Sequence, residues 1–178
     1  MAFHKTCHNS LNTRRLFMGN GYELKCKKCE FKHVVCDGIG FLYPSLCAEI
    51  LDKMKKGAYG KGFMEDALRI EGAAVHQERT IFVCDHCGKW RIDEVIDLCA
   101  PIGEPVKPAG KFCSAMPELQ EKLFVMGYEI KKEYSIVRSK RHMCGNCRHK
   151  LRRIKKNEKL KCPQCSTRLI KCNEFFRD

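Results

Sequence analysis

No apolar run in this chain approaches the roughly 20 residues needed to span a membrane as a helix, and Met1 to Arg15 lacks the apolar stretch of a secretory signal. We therefore expect a cytoplasmic protein with no membrane partner. Catalytic signatures are missing too. No phosphate-binding glycine loop of recognised form occurs, since Gly57 to Gly62 with Lys61 lacks the P-loop pattern and reads as an interhelical turn. No Ser/His/Asp set has a spacing that brings its members together, and no small-molecule substrate suggests itself. An enzyme is thus the weakest class, and thiol redox chemistry is the exception only if a cysteine pair stays metal-free. Acidic residues are scarce in one region. Residues 131–178 hold 16 basic and 4 acidic residues, against 18 and 17 in residues 1–130.

Cysteine, in contrast, is abundant, with 14 residues. A reducing compartment disfavours disulfides, so metal binding is the better use for them. Eight fall in four Cys-x-x-Cys pairs: Cys26/Cys29, Cys84/Cys87, Cys144/Cys147 and Cys162/Cys165. Each pair can offer two thiolates from one tight turn, and two pairs complete a tetrahedral site. The last two pairs have 14 residues between them, close to zinc-ribbon spacing. That predicts one site from Cys144, Cys147, Cys162 and Cys165, and a second from Cys26, Cys29, Cys84 and Cys87. Two Zn2+ ions are expected, because a Cys-only set favours zinc in a closed structural site. Iron in the same cage is the alternative for the C-terminal set, and Cys36 competes for a place in the N-terminal one.

The predicted fold class is α+β, small and metal-stapled. It comprises two zinc-ribbon β modules, the first with a helical insertion between its knuckles. A flexible arm covers 1–20, where His4, Cys7 and His8 find no matching second half. The N-terminal ribbon covers 21–100, with its insertion at about 44–72. Tyr22–Lys25 and Phe31–Val35 read as extended. Pro44, Leu46, Ile50, Leu51 and Met54 predict one helix stopped by Gly57, and Phe63, Ala67, Leu68 and Ile70 a second ending at Gly72. Val75–Val83 and Lys89–Asp93 read as strands flanking Cys84–Gly88, placing Trp90 beside the site. Four prolines make 101–117 a linker. The basic C-terminal ribbon covers 118–178, with a short helix at 118–126 and strands at 128–137, 148–156, 159–161 and 167–176. Cys7, Cys47, Cys99, Cys113 and Cys172 read as core filling, and His86, His142 and His149 as surface residues.

Residues 144–165, with Cys162-Pro163-Gln164-Cys165 as second knuckle, resemble the zinc-ribbon fold built on rubredoxin-like knuckles, and Cys84–Gly88 is similar in kind. The whole arrangement resembles small uncharacterised bacterial zinc-ribbon proteins carrying a Gly-Ile-Gly-Phe-Leu-Tyr-Pro-like segment, here Gly38 to Pro44. The resemblance implies metal binding and architecture. Glycine after the second cysteine suits the knuckle bend, and Gly88 supplies it, whereas Glu30, Arg148 and Ser166 stand at the other three positions.

The C-terminal charge survives correction for zinc thiolates, at about +10. Arg138, Lys140, Arg141, Arg148, Lys150, Arg152, Arg153, Lys155 and Lys156 are expected to form a positive face that binds nucleic-acid backbone, DNA or RNA, with little sequence preference. Replacing Arg152, Arg153, Lys155 and Lys156 together should abolish that binding without unfolding. The alternative is an adaptor that docks an acidic protein partner.

Overall fold

The computed structural model describes residues 19–38, 43–103 and 123–177. Residues 1–18 of the predicted arm, most of the predicted linker, Cys7, Cys113 and residues 118–122 of the predicted helix lie outside them, whereas the arm's last two residues, Gly19 and Asn20, open the first strand. Strands β1 (Gly19–Cys26), β2 (Lys32–Asp37), β3 (Ala74–Val83), β4 (Trp90–Pro101), β5 (Tyr134–Ser139), β6 (Arg152–Arg153) and β7 (Leu169–Arg177) flank helices α1 (Tyr43–Lys55) and α2 (Lys61–Arg69). The architecture is α+β, as read from the sequence. Neither described helix is long and apolar enough to cross a membrane.

Two antiparallel sheets, ordered β2-β1-β7 and β5-β4-β3-β6, carry the fold. Each sheet mixes the two halves of the chain: β7 pairs with β1, β6 with β3 and β5 with β4. The strand pairing therefore does not follow the expected division into consecutive modules at 21–100 and 118–178. Hairpins β1–β2 and β3–β4 supply two long scaffolds, and the C-terminal segment lays strands along both.

Pro44 sits in the first turn of α1, where its missing N–H costs nothing. Tyr43, Cys47, Ile50, Leu51 and Met54 form the helix's buried stripe. Gly57, at φ 85°, reverses the chain after it. These side chains pack with Phe63 and Ala67 of α2 onto Val75, Ile96 and Leu98 of the long β3–β4 hairpin. Cys47 and Cys99 are fully buried.

Three elements differ from expectation. Leu123–Met126 is extended, not helical: the Val75 N–H donates to the Leu123 carbonyl and the Val75 carbonyl accepts from the Val125 N–H, which holds it beside β3. The strand expected from Tyr128 starts only at Tyr134. Before it, Glu129 gathers a turn by accepting from the Met126 N–H through its side chain and from Lys132 and Glu133 through its carbonyl. Residues 148–161 do not fold back as a ribbon hairpin. Arg152–Arg153 instead joins the edge of β3, and Ile154 bonds to Ile81.

A buried polar network ties these layers together. The Tyr43 hydroxyl donates to the Val125 carbonyl (2.5 Å) and accepts from the Gln77 N–H. His76 Nδ1 donates to the same carbonyl (2.9 Å), leaving Nε2 facing Glu78 at 3.9 Å. Burial alone would lower the His76 pKa, but the Glu78 carboxylate and the Val125 carbonyl outweigh it and raise it above 6.5. A raised histidine pKa stabilises the fold at low pH and loses that contribution as pH climbs through the native value. The stability gap between wild type and His76→Gln, measured by denaturant unfolding, should therefore shrink as pH rises past 6.5. A gap independent of pH would show that the imidazolium contributes nothing.

Candidate metal centres

All four Cys-x-x-Cys pairs sit in the same backbone device. The N–H of the first cysteine donates to the carbonyl five residues on: Cys26 to Phe31, Cys84 to Lys89, Cys144 to His149 and Cys162 to Thr167, at 2.8 to 3.0 Å. In the last three, the fourth residue after the first cysteine donates back to that cysteine's carbonyl. This bend needs a left-handed residue. Gly88 takes it at φ 68°, and Arg148 and Ser166 take it at 58° and 59° despite their side chains. Such a conformation costs a non-glycine residue of the order of 1 kcal/mol, so the two C-terminal knuckles hold strain that their surroundings must offset.

The pairs combine differently from the prediction. One cluster is Cys26, Cys29, Cys162 and Cys165, and the other is Cys84, Cys87, Cys144 and Cys147, each with all four sulfurs within 4.8 Å of one another. The eight predicted ligands are thus the right residues in exchanged partnerships. The cause lies in the strands. Pairing of β7 with β1 sets Leu169 opposite Cys26, which carries the Cys162–Cys165 knuckle to the tip of the β1–β2 hairpin. The β5–β4 pairing and β6 on β3 likewise deliver Cys144–Cys147 to the tip of β3–β4. Cys36 joins neither cluster; it lies on β2 opposite Gly21.

Sulfur separations of 3.4 Å (Cys26–Cys165), 3.6 Å (Cys29–Cys162), 3.4 Å (Cys84–Cys147) and 3.6 Å (Cys87–Cys144) are far too long for disulfides. They match a tetrahedral metal–thiolate cage, whose edges are about 3.8 Å for 2.3 Å metal–sulfur bonds. Both clusters therefore fit a metal ion. The electrostatics say why an ion is needed. Backbone N–H groups of Cys147 and Asn146 lower the Cys144 thiol to about 6, and the Thr167 hydroxyl and N–H do the same for Cys165. Their partners move the other way. The His149 and Phe31 backbones favour the Cys147 and Cys29 thiolates, yet desolvation and the neighbouring sulfurs push both thiols up to about 12. Four thiolates in contact require a cation between them.

The two centres have distinct surroundings. Leu24, Val35, Ile81, Leu160 and Leu169 pack with Cys26 and Cys162, whereas Phe82, Val95 and Leu151 pack with Cys84 and Cys144. Trp90 starts at the Cys84–Cys87 knuckle but packs into the other centre's cluster, its indole N–H donating to Lys161 (2.8 Å). His142 is buried, not on the surface. It stacks on Phe82 with ring centroids 3.9 Å apart and meets Asp93 at 3.1 Å.

Several residues of the predicted basic face are already engaged. Arg138 pairs with Asp66 (2.7 Å), Arg152 with both Asp85 (2.8 Å) and Glu158 (2.7 Å), and Arg153 with Glu78 (2.8 Å) and Asp97 (3.0 Å). Lys140 lies 3.8 Å from Asp93. Glu158 excepted, these carboxylates belong to the N-terminal half, so these four basic residues act as a clamp between halves. Arg141, Arg148, Lys150, Lys155 and Lys156 are in no ion pair among the described residues, though the Lys155 N–H donates to Glu158.

Sequence reasoning missed a second basic group. A groove of about 960 Å³ beside Cys26 and Cys29 is lined by Lys25, Lys27, Lys28 and Lys32, with Glu30 its only carboxylate among the described residues. An adjoining cavity of about 510 Å³, sharing Ile170, adds Lys155, Lys159, Arg168 and Lys171. The signal was present as Lys25-Cys26-Lys27-Lys28 in an otherwise charge-balanced half. No protein family, curated protein or solved structure matches this chain.

Proposed function

We propose that the chain is a non-enzymatic protein, stapled by two zinc ions, that binds the phosphate backbone of nucleic acid through a lysine-rich face beside the Cys26/Cys29/Cys162/Cys165 centre. A Cys-only donor set suits zinc held in a closed, structural cage. The observation that carries the binding reading is the lysine-lined groove. Lys25, Lys27, Lys28 and Lys32 surround it, and none of the four is in an ion pair with a described carboxylate.

The proposed binding face thus differs from the expected one, sharing Lys155 with it. Arg138, Arg152 and Arg153 spend their charge on internal carboxylates, so they have less to offer a phosphate. Lys155, Lys159 and Arg168 extend the groove's charge along the adjoining cavity. Contacts from lysine ammonium groups to phosphates position the chain without reading bases, which supports binding of DNA or RNA with little sequence preference.

The test is fluorescence anisotropy of labelled single- and double-stranded DNA and RNA against the full chain over a salt series. Affinity should fall linearly with salt on a double-logarithmic plot. Replacing Lys25, Lys27, Lys28 and Lys32 by alanine should reduce that slope by about 3, at roughly 0.7 to 0.9 for each phosphate no longer neutralised, while the chain keeps both metal ions. An unchanged slope would remove the groove from the interface. No binding even at about 50 mM salt would turn the lysine face toward an acidic protein.

A further inference from the structure

We infer that His86, His149 and Cys147 form a third, solvent-accessible metal site, fused to the Cys84/Cys87/Cys144/Cys147 centre through the Cys147 sulfur. The fold brings these residues together from both halves of the chain. One ring nitrogen of each histidine and the Cys147 sulfur all lie within 4.8 Å of one another. The two imidazoles stack face to face, with centroids 4.0 Å apart and 6° between planes. Each is carried by a knuckle of the same centre, His86 between Cys84 and Cys87 and His149 two residues after Cys147.

Two details separate this cluster from an incidental surface pair. His149 Nδ1 lies 3.0 Å from the Cys147 carbonyl. A carbonyl can only accept, so Nδ1 carries the proton and Nε2 keeps the lone pair. Fixing the tautomer through the far nitrogen is how metal-bound imidazoles are usually prepared. The second detail is charge. A four-thiolate cage around one divalent ion keeps a net charge of about −2, and Cys147 is one of its partly exposed sulfurs. A thiolate bound to one metal still has lone pairs for a second.

The arrangement selects the ion. Two imidazoles and a bridging thiolate suit a borderline divalent ion such as Zn2+. Three protein donors leave a fourth position for water, the pattern of an open rather than a closed site. Both rings are exposed, so the His86 ring can turn out of the stack toward an ion on Nε2 of His149 while the bond from His149 Nδ1 to the Cys147 carbonyl is kept. Exposure also makes the third ion exchangeable, in contrast with the caged ions.

The probe is Zn2+ itself. Full-length protein is dialysed first against a weak chelator, then against buffered micromolar Zn2+, and zinc per chain is measured by elemental analysis at each stage. Wild type should move from two ions to three. The double variant His86→Gln, His149→Gln should stay at two throughout, with an unchanged circular-dichroism spectrum. His86→Gln alone, altering only an exposed knuckle tip, should also lose the third equivalent. Wild type saturating at two ions would overturn the site, and so would a third ion that persists in the double variant. The nucleic-acid titration reads a different surface, so the two proposals fail separately.

Discussion

Replacing Cys26 and Cys162 together by serine should leave one metal ion per chain, whereas replacing Cys26 and Cys144 should leave none. Cys26 and Cys162 belong to one cluster, and Cys144 belongs to the other. Had neighbouring pairs in the sequence shared a metal, the Cys26/Cys144 variant would still hold none, but the other outcomes would differ. The Cys26/Cys162 variant would then lose both ions, and a Cys26/Cys84 variant would keep one. The effect should be large, since binding at a structural zinc site supplies roughly 10 to 16 kcal/mol at pH 7, comparable with a domain's whole stability. The surviving ion should stay bound because α1, α2 and the β3–β4 hairpin have their own core, and Phe82, Val95 and Leu151 pack the remaining centre. Native mass spectrometry of the purified variants, dialysed against a weak chelator to strip any exchangeable third ion, reads the count directly. Zero metal in the Cys26/Cys162 variant, with one in the Cys26/Cys84 variant, would disprove the crossed pairing.

The second large effect is expected at Arg153. Its guanidinium bonds Glu78 and Asp97, and Asp97 is only 2% exposed. Arg153→Met would leave that carboxylate buried without its cation. Breaking a buried pair from one side costs about 3 to 5 kcal/mol, and the lower end applies because Arg153 itself is 44% exposed. Much of this measures the cost of the stranded charge, not the worth of the pair. Adding Asp97→Asn should therefore recover at least about 1 kcal/mol, and Lys156→Ala should change stability by less than about 0.5 kcal/mol. Denaturant unfolding with metal held saturating gives all three values. An Arg153→Met variant as stable as wild type would show that Asp97 finds its compensation elsewhere. For the same reason, and contrary to expectation, removing Arg152, Arg153, Lys155 and Lys156 together should harm the fold.

Local features were legible because they depend on neighbours in the chain. The periodicity of Leu46, Ile50, Leu51 and Met54 places α1, although Leu46 is exposed and Cys47 fills the buried stripe instead, and Gly57 marks its end. Gly88 marks a knuckle bend, and the Cys-x-x-Cys pairs identify the eight sulfurs. The third site was not legible. His86 and His149 are separated by 62 residues, and each alone reads as an ordinary surface histidine. His142 gave no sign of burial because what covers it, Phe82, comes from a distant strand.

The sequence by itself determined the donors, the helices, the hairpin strands and the excess of positive charge late in the chain. Only the tertiary structure decided which pairs share a metal and which cations remain available. Loop closure explains the first. Partnering Cys147 with Cys162 closes 14 intervening residues, whereas partnering Cys87 with Cys144 closes 56. Two doublings of loop length cost only about 1.2 kcal/mol, less than the strand pairing of β5 with β4 and β7 with β1 can return. Chain spacing is thus too weak a force to choose partners, and the sheets choose instead. The second follows from it: once the strands cross between halves, Asp66, Glu78, Asp85 and Asp97 meet arginines from the basic end. Part of the charge that looked like a surface for a partner becomes the seam that holds the two halves together.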